Sequence, residues 1–285
     1  MKIQSLSIVV PAERCWNKCP FCVSRMHCEN YGESIIAKGE QIPESYLNRM
    51  EFVRDEGCNS MIITGDTEPQ QNMNFIRQVL YANKTCMKKP FYNISLQTTG
   101  SNLNEADIAG MADLGLTTIS FSISSFDPDR NAEIIGMPEK AKRDLYDVHS
   151  WAKRQNLVTR ASINLTDEFE KYSPADYFDW AQMNGFDQIT FRKIYADGDN
   201  AQSRWIAQHA FPEERYDAIQ RYVMMNGVAI LRLPFGHIKY SVHGISTVID
   251  DNCMSKDNID DLKYAILRPN GHLYSRWDDP GSLIF

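Results

Sequence analysis

Thr117-Thr118-Ile119-Ser120-Phe121-Ser122-Ile123-Ser124 alternates apolar and hydroxyl side chains at a period of two. Successive side chains of a strand point to opposite faces, so this segment has one apolar and one polar face. Three more segments share the pattern. Asn93, Ser95 and Gln97 alternate with Tyr92, Ile94 and Leu96. Arg160, Ser162 and Asn164 alternate with Ala161, Ile163 and Leu165, and Gln188, Thr190 and Arg192 alternate with Ile189 and Phe191. Stretches of helical character separate them at residues 105–114, 140–155 and 174–184. Strands alternating with helices imply a parallel sheet with the helices outside. An antiparallel sheet wetted on one side would also show polar faces, but these helices need apolar strand faces to pack on. The polar faces therefore point inward. A closed eight-stranded barrel fills its interior with branched apolar groups, so the alternation predicts an open, partial barrel around a polar ligand.

Upstream, strands are expected at residues 6–10 and 60–64 and helices at 43–56 and 72–83, which makes six β–α steps through residue 194. The chain then changes character. Residues 195–211 look irregular and 212–225 helical, and strands are expected at 228–233, 239–249, 262–267 and 272–277, the last two joined by the turn Arg268-Pro269-Asn270-Gly271. The fold class is α/β: a partial (β/α)6 TIM-like barrel over residues 1–194, with an α+β extension over 195–285 that caps the barrel within the same structural unit.

Composition bounds the function. Of 285 residues 43% are hydrophobic, enough for a full core, and no run reaches the length of a membrane span. The net charge of −7, with only short basic clusters at Lys88-Lys89 and residues 140–143, argues against a nucleic-acid partner. The N-terminal apolar stretch is too short for a signal peptide and reads as a first strand, so the protein is expected in the cytoplasm. Seven cysteines without a leader argue against a disulfide framework. Cys28, Cys58, Cys86 and Cys253 are scattered and read as small buried apolar residues. The acidic stretch 250–261 lacks a calcium-loop pattern and reads as a solvated loop.

The other three cysteines are not scattered. Cys15-Trp16-Asn17-Lys18-Cys19-Pro20-Phe21-Cys22 follows the first strand directly, where β/α barrels place their active sites. Three thiolates on a short loop suit a four-iron cluster held by three corners, with the fourth iron open to chemistry. Zinc, with His27 or Cys28 as fourth ligand, is the competing reading, although zinc ligands usually come as two separated pairs.

The C-x3-C-x2-C spacing, with Phe21 before the last cysteine, resembles the signature of the radical S-adenosylmethionine (SAM) superfamily. Ile63-Thr64-Gly65-Asp66-Thr67-Glu68-Pro69, after the second strand, resembles that family's Gly-Gly-Glu-Pro motif, with an extra residue and one glycine fewer. Ser122, Ser124 and the following Ser125-Phe126-Asp127-Pro128 resemble its strand-four serine segment. The resemblance covers roughly residues 1–194. It implies one [4Fe-4S] cluster on Cys15, Cys19 and Cys22, SAM as cofactor, and a 5'-deoxyadenosyl radical that takes a hydrogen atom from substrate. It further implies an electron donor such as flavodoxin or ferredoxin. By the same resemblance Phe21, Gly65, Asp66, Thr67, Glu68, Ser122, Ser124, Asn164 and Arg192 are the candidate SAM contacts. Candidate substrate contacts are Arg25, His27 and Tyr31 near the cysteines, and Asn93, Gln97, Arg160, Ser162 and Thr190 on the polar strand faces. Two inward arginines favour a small, polar, anionic substrate such as a nucleotide, sugar, amino acid or deazapurine precursor. Peptide maturation is the second reading, and a non-catalytic zinc or iron–sulfur protein the rival from another class.

Overall fold

The computed structural model describes residues 2–26, 31–32, 34–36, 42–233, 236–250 and 261–285. Strands β1 (Lys2–Val9), β2 (Ser60–Thr64), β3 (Asn93–Thr98), β4 (Thr118–Ile123), β5 (Val158–Leu165) and β6 (Gln188–Lys193) lie side by side in chain order, all parallel. Between them run α1 (Val23–Met26), α2 (Glu44–Asp55), α3 (Met73–Thr85), α4 (Glu105–Asp113), α5 (Pro128–Ile134), α6 (Leu145–Arg154) and α7 (Pro174–Met183). The helices start where the sequence supplies acceptors for their first N–H groups. Asn72, Asn104, Asp127 and Asp144 each accept from the first turn, and Ser173 with Asp176 forms a capping box.

After residue 194 come α8 (Ala201–Gln208), α9 (Glu213–Asn226), β7 (Gly227–Arg232), β8 (Ile238–Val242), β9 (Ile245–Asp250), β10 (Asp261–Leu267) and β11 (Leu273–Tyr274). Where a cap was expected, these strands join both edges of the same sheet. β9 pairs parallel with β6, and β10 pairs parallel with β1. The order is β11-β10-β1-β2-β3-β4-β5-β6-β9-β8-β7, and it does not close on itself. Across the opening between β9 and β10, Lys263 Nζ lies 3.2 Å from Asp250 Oδ1, with both side chains nearly buried. Asp250 therefore ends a strand instead of opening a solvated loop; residues 251–260 fall outside the described set.

The outward faces form the core expected from the alternation. Ile119, Phe121 and Ile123 of β4 and Ala161 and Ile163 of β5 are all fully buried under the helices. Each large side chain so buried contributes about 1.5–3 kcal/mol. An aromatic cluster around Phe126, stacked on Trp180 at 4.2 Å, packs beneath α7. Three details differ from the sequence reading. Residues 239–249 are a hairpin, broken at His243 (φ 50°) and Gly244 (φ 85°), because the strand pattern runs on through a two-residue turn. Helices α5 and α8 are too short to declare a period. Cys86 caps the end of α3 and is exposed, while Cys58 is buried. No helix among the described residues is long and apolar enough to cross a membrane.

Tyr46 of α2 is fully buried, its ring edge-on to Phe75, and its hydroxyl has no partner among the described residues. A buried donor left unpaired costs about 1–3 kcal/mol. Tyr46→Phe should therefore hold or raise stability in urea unfolding, while Tyr46→Ala should cost about 3–5 kcal/mol as a cavity. A clear loss for Tyr46→Phe would show that the hydroxyl is bonded after all.

Candidate active site

Cys15, Cys19 and Cys22 sit on the loop between β1 and α1, half-buried and free of disulfides. The loop is fastened at several points. Lys18 N donates to Ile135 O at 2.9 Å, and Gly136 (φ +58°) approaches so closely that a Cβ there would lie 2.8 Å from Lys18 Cβ. Trp16 N donates to Gln71 Oε1 and its indole Nε1 to Ser101 Oγ, each at 3.1 Å. Arg25 Nη2 donates back to Asn17 O at 2.7 Å. Burial, then the charges of Cys22, Glu68 and Cys15, pushes the Cys19 thiol strongly up, and burial also raises Cys15. Thiols held this way gain from a cationic centre that takes their charge. Among the described residues no three His, Cys, Asp or Glu side chains converge on a single ion. A cubane binds each thiolate at a separate iron and needs no such convergence. His27, Cys28 and Cys253 lie outside the described residues.

The turn after β2 packs against this loop. A Cβ at Gly65 would stand 3.1 Å from Thr67 O and 3.4 Å from Val10 O, so the turn favours glycine there. Glu68 is 5% exposed. It accepts from Thr98 Oγ1 (2.5 Å), Thr99 N (3.1 Å), Thr99 Oγ1 (2.8 Å) and Asn17 Nδ2 (3.1 Å). Burial raises its carboxyl, and these donors pull it back. Asp66 faces elsewhere: its carboxylate meets Arg268 Nη1 at 2.8 Å. Arg268 in turn lies 3.5 Å over the Tyr31 ring and donates to Trp277 O at 2.9 Å. Tyr31 OH also donates to Trp277 O, at 2.6 Å. Tyr31 thus joins a network with the C-terminal segment and is not on the cavity wall.

Inside the barrel the polar strand faces meet the thiol loop at a cavity of about 270 Å³, at the lower end for small-molecule sites. Cys19, Phe21, Cys22 and Val23 form one wall. Gln97, Ser120, Ser122, Ser162, Asn164 and Arg192 come from the strands, and Lys193, Ile194 and Tyr195 close the far side. Ser124 is buried just beyond, accepting from Asn164 Nδ2 at 3.3 Å, while its own N–H donates to Asn131 Oδ1 at 2.7 Å. Thr190 is buried and pairs in register with Ser162. Asn93 is exposed at the opposite, N-terminal end of β3. Arg160 lies deeper than Ser162, its Nε donating to Gln188 Oε1 at 2.8 Å. Arg192 has a partner within the chain: Nε donates to Ser162 Oγ at 2.6 Å, and Nη1 lies 3.4 Å from Asp250 Oδ2. Over the mouth, the Trp205 ring of α8 lies 5.5 Å from Phe21 and stacks on His209.

Asn17, Thr98, Thr99, Asn131 and Asp250 were not singled out from sequence. Asn17 lies inside the cysteine motif, and its burial was the available clue; the other four act through contacts distant in sequence or through a cap.

A family model for the radical SAM superfamily matches residues 9–167, more than half of the chain. No curated protein sequence matches. Among solved structures, native anSMEcpe with bound AdoMet and Kp18Cys peptide superposes with a TM-score of 0.61 at 12% identity, covering 99% of this chain and 76% of that one. SuiB of Streptococcus suis bound to S-adenosylmethionine gives 0.61 at 12% identity, over 95% of this chain and 60% of its own. Methylornithine synthase (PylB) gives 0.51 at 12% identity, over 77% and 62%. At such identities the likeness is one of fold.

The Asp66–Arg268 contact makes a test of its own. Arg268 is 4% exposed at its side chain and Asp66 46%. Arg268→Met should cost about 2 kcal/mol in denaturant unfolding, because it removes a desolvated cation–π contact and charged hydrogen bonds. Asp66→Asn should cost about 0–1 kcal/mol, as for a solvent-screened pair. Equal losses would mean that the ion pair, not the ring contact, holds the segment.

Proposed function

The chain belongs to the radical SAM superfamily and is a radical SAM enzyme, and we propose that it abstracts hydrogen from a small, polar, anionic substrate held inside the barrel. The observation that carries this reading is the shared cavity of Cys19 and Cys22 with the inward polar groups Gln97, Ser162, Asn164 and Arg192. In this reading Cys15, Cys19 and Cys22 hold a single [4Fe-4S] cluster. When bound, cluster and SAM together supply a 5'-deoxyadenosyl radical. The chain's residues do the binding and orienting. Phe21 and the turn of Gly65, Thr67 and Glu68 flank the thiol side, where the Glu68 carboxylate favours SAM's ammonium group, while Asp66 of the same turn is held by Arg268. Ser122 and Asn164 offer a hydroxyl and an amide to the ribose and carboxylate, and Ser124, buried behind them, accepts from the Asn164 amide. Arg192, held by Ser162 and Asp250, presents a cation whose geometry is set before any ligand arrives. A low-potential donor of flavodoxin or ferredoxin type would supply the electron, which suits a cytoplasmic enzyme.

A peptide substrate is the second reading. It is favoured by the fold likeness to anSMEcpe with its Kp18Cys peptide and to SuiB bound to precursor peptide SuiA. The inward arginines favour the small anionic substrate over it.

Reconstituted without oxygen, the protein should take up about four irons, and Cys15→Ala, Cys19→Ala and Cys22→Ala should each abolish uptake. Cys58→Ala should not. Stoichiometric zinc with no iron uptake would sink the cluster. Glu68→Gln should keep the iron and weaken SAM binding by about tenfold or more, as for loss of a charged acceptor. Unchanged SAM affinity would remove the turn after β2 from the SAM site.

A further inference from the structure

Among the described residues, the wall built by β5, β6, β9 and β8 carries more positive charge than its carboxylates match. Arg160, Ser162 and Asn164 pair in register with Gln188, Thr190 and Arg192, and these with Ser246, Val248 and Asp250. Ser241 pairs with Ser246, so Lys239, two residues earlier on β8, projects to the same inner face. Asp250 is already engaged by Arg192 at 3.4 Å and Lys263 at 3.2 Å, with His237 at 3.9 Å. Arg160 has the neutral amide of Gln188 as its hydrogen-bond acceptor. Lys239 makes no ion pair with a carboxylate among the described residues; the charge felt at its ammonium is that of Arg160. Burial, then Arg192, pulls the Arg160 guanidinium down to about 10, and burial, then Arg160, pulls Lys239 down. Both side chains keep partial exposure, so a ligand reaches them. Two like charges held together in part-buried surroundings repel, and a bound anion relieves that repulsion.

We propose that Arg160 and Lys239 form an anion subsite on the inner wall that takes a dianionic phosphate group of the substrate. Arg160 lies deeper than Ser162, which lines the thiol cavity, and Lys239 stands on β8 near the Ser162 level, so a substrate anchored between them extends its other end toward the thiol loop. A planar fork and a point charge together balance a dianion better than a single carboxylate. The subsite rests on the substrate reading above and specifies it: a phosphorylated small molecule.

The test titrates the reconstituted full-length enzyme with inorganic phosphate and with acetate at constant ionic strength, reading heat of binding, while 5'-deoxyadenosine formation is followed separately in the wild type. Phosphate should bind the wild type, and about tenfold or more weaker to Lys239→Met and Arg160→Met. Lys239→Arg should retain binding, which separates loss of charge from loss of fold. Acetate should bind much more weakly than phosphate. Absent phosphate binding, or equal binding in wild type and Lys239→Met, overturns the subsite. Acetate binding as tight as phosphate overturns the dianion. Either result with SAM cleavage intact leaves the enzyme reading standing. Failure of SAM cleavage with a Lys239-dependent phosphate response sinks the radical reading and leaves the subsite.

Discussion

The buried carboxylate of Glu68 ties together the three segments that make the site. One oxygen takes the hydroxyl of Thr98 and the backbone N–H of Thr99, and the other takes Thr99 Oγ1 and Asn17 Nδ2. The turn after β2, the end of β3 and the thiol loop are thereby held to one group. A carboxylate at 5% exposure is tolerable only with such a set of donors, since an unpaired buried charge costs several kcal/mol. The negative charge of Glu68 also helps to raise the Cys19 thiol, behind burial and the charge of Cys22, while at Cys15 its backbone hydrogen bond works in the opposite direction. The network that shapes the loop therefore strengthens the need of Cys19 for a positive centre. Asn17 links the two halves, which explains why a small amide inside the cysteine motif is almost fully buried.

The sheet stays open for a related reason. Eight parallel strands, from β10 through β1 and β6 to β9, are enough for a closed barrel, yet β9 and β10 are not hydrogen-bonded to each other. An inner face carrying Gln97, Ser162, Asn164 and two arginines cannot fill the interior with branched apolar groups in the way closure requires. The edges meet instead through Lys263 and Asp250, and Asp250 extends to Arg192. The same C-terminal region reaches the other rim, where Arg268 meets Asp66 across the turn after β2. Residues beyond 194 thus touch both the strand that bears Arg192 and the turn that bears Glu68. Apart from Tyr195, which lines the cavity, and Lys239 on the inner wall, substitutions there would act on the site through these contacts.

Much of this was legible in the sequence because strand parity survives burial. In β4 and β5 Ser120, Ser122, Arg160, Ser162 and Asn164 fall on the inner face and the apolar positions are buried under helices, while Thr159 turns outward to His149 of α6. The spacing of Cys15, Cys19 and Cys22 carried the family resemblance locally. What escaped depended on partners far along the chain. Asp250 sits 58 residues from Arg192, and nothing near it distinguishes a salt-bridged strand end from a solvated acidic loop. Tyr31 looked close to the cysteines in sequence, but Arg268 and Trp277 draw it into the C-terminal network. The sequence of the β8–β9 hairpin reads as one strand because His243 and Gly244 interrupt neither composition nor alternation strongly. Lys239 and Ser241, alternating with Ile238, Tyr240 and Val242, carried the same parity signal as β5, and a strand boundary at Gly244 would have exposed it.

Parity and charge together explain why the cationic groups lie where they do. A parallel strand buried under helices has the middle of its outer face committed to packing, so a charged residue within it points inward, while Lys193 at the end of β6 reaches outward to Glu213 of α9. Inward charge at the C-terminal end of β6 lies level with Asp250, the last residue of β9, which reaches Arg192. Inward charge deeper in the sheet, as at Arg160, is level with Ser246 of β9, and its acceptor is an amide on the neighbouring strand. A neutral acceptor satisfies the hydrogen bond and leaves the charge unbalanced. The depth of a cation along the strand therefore decides whether the fold or a ligand neutralises it, and in this barrel that division falls between Arg192 and Arg160.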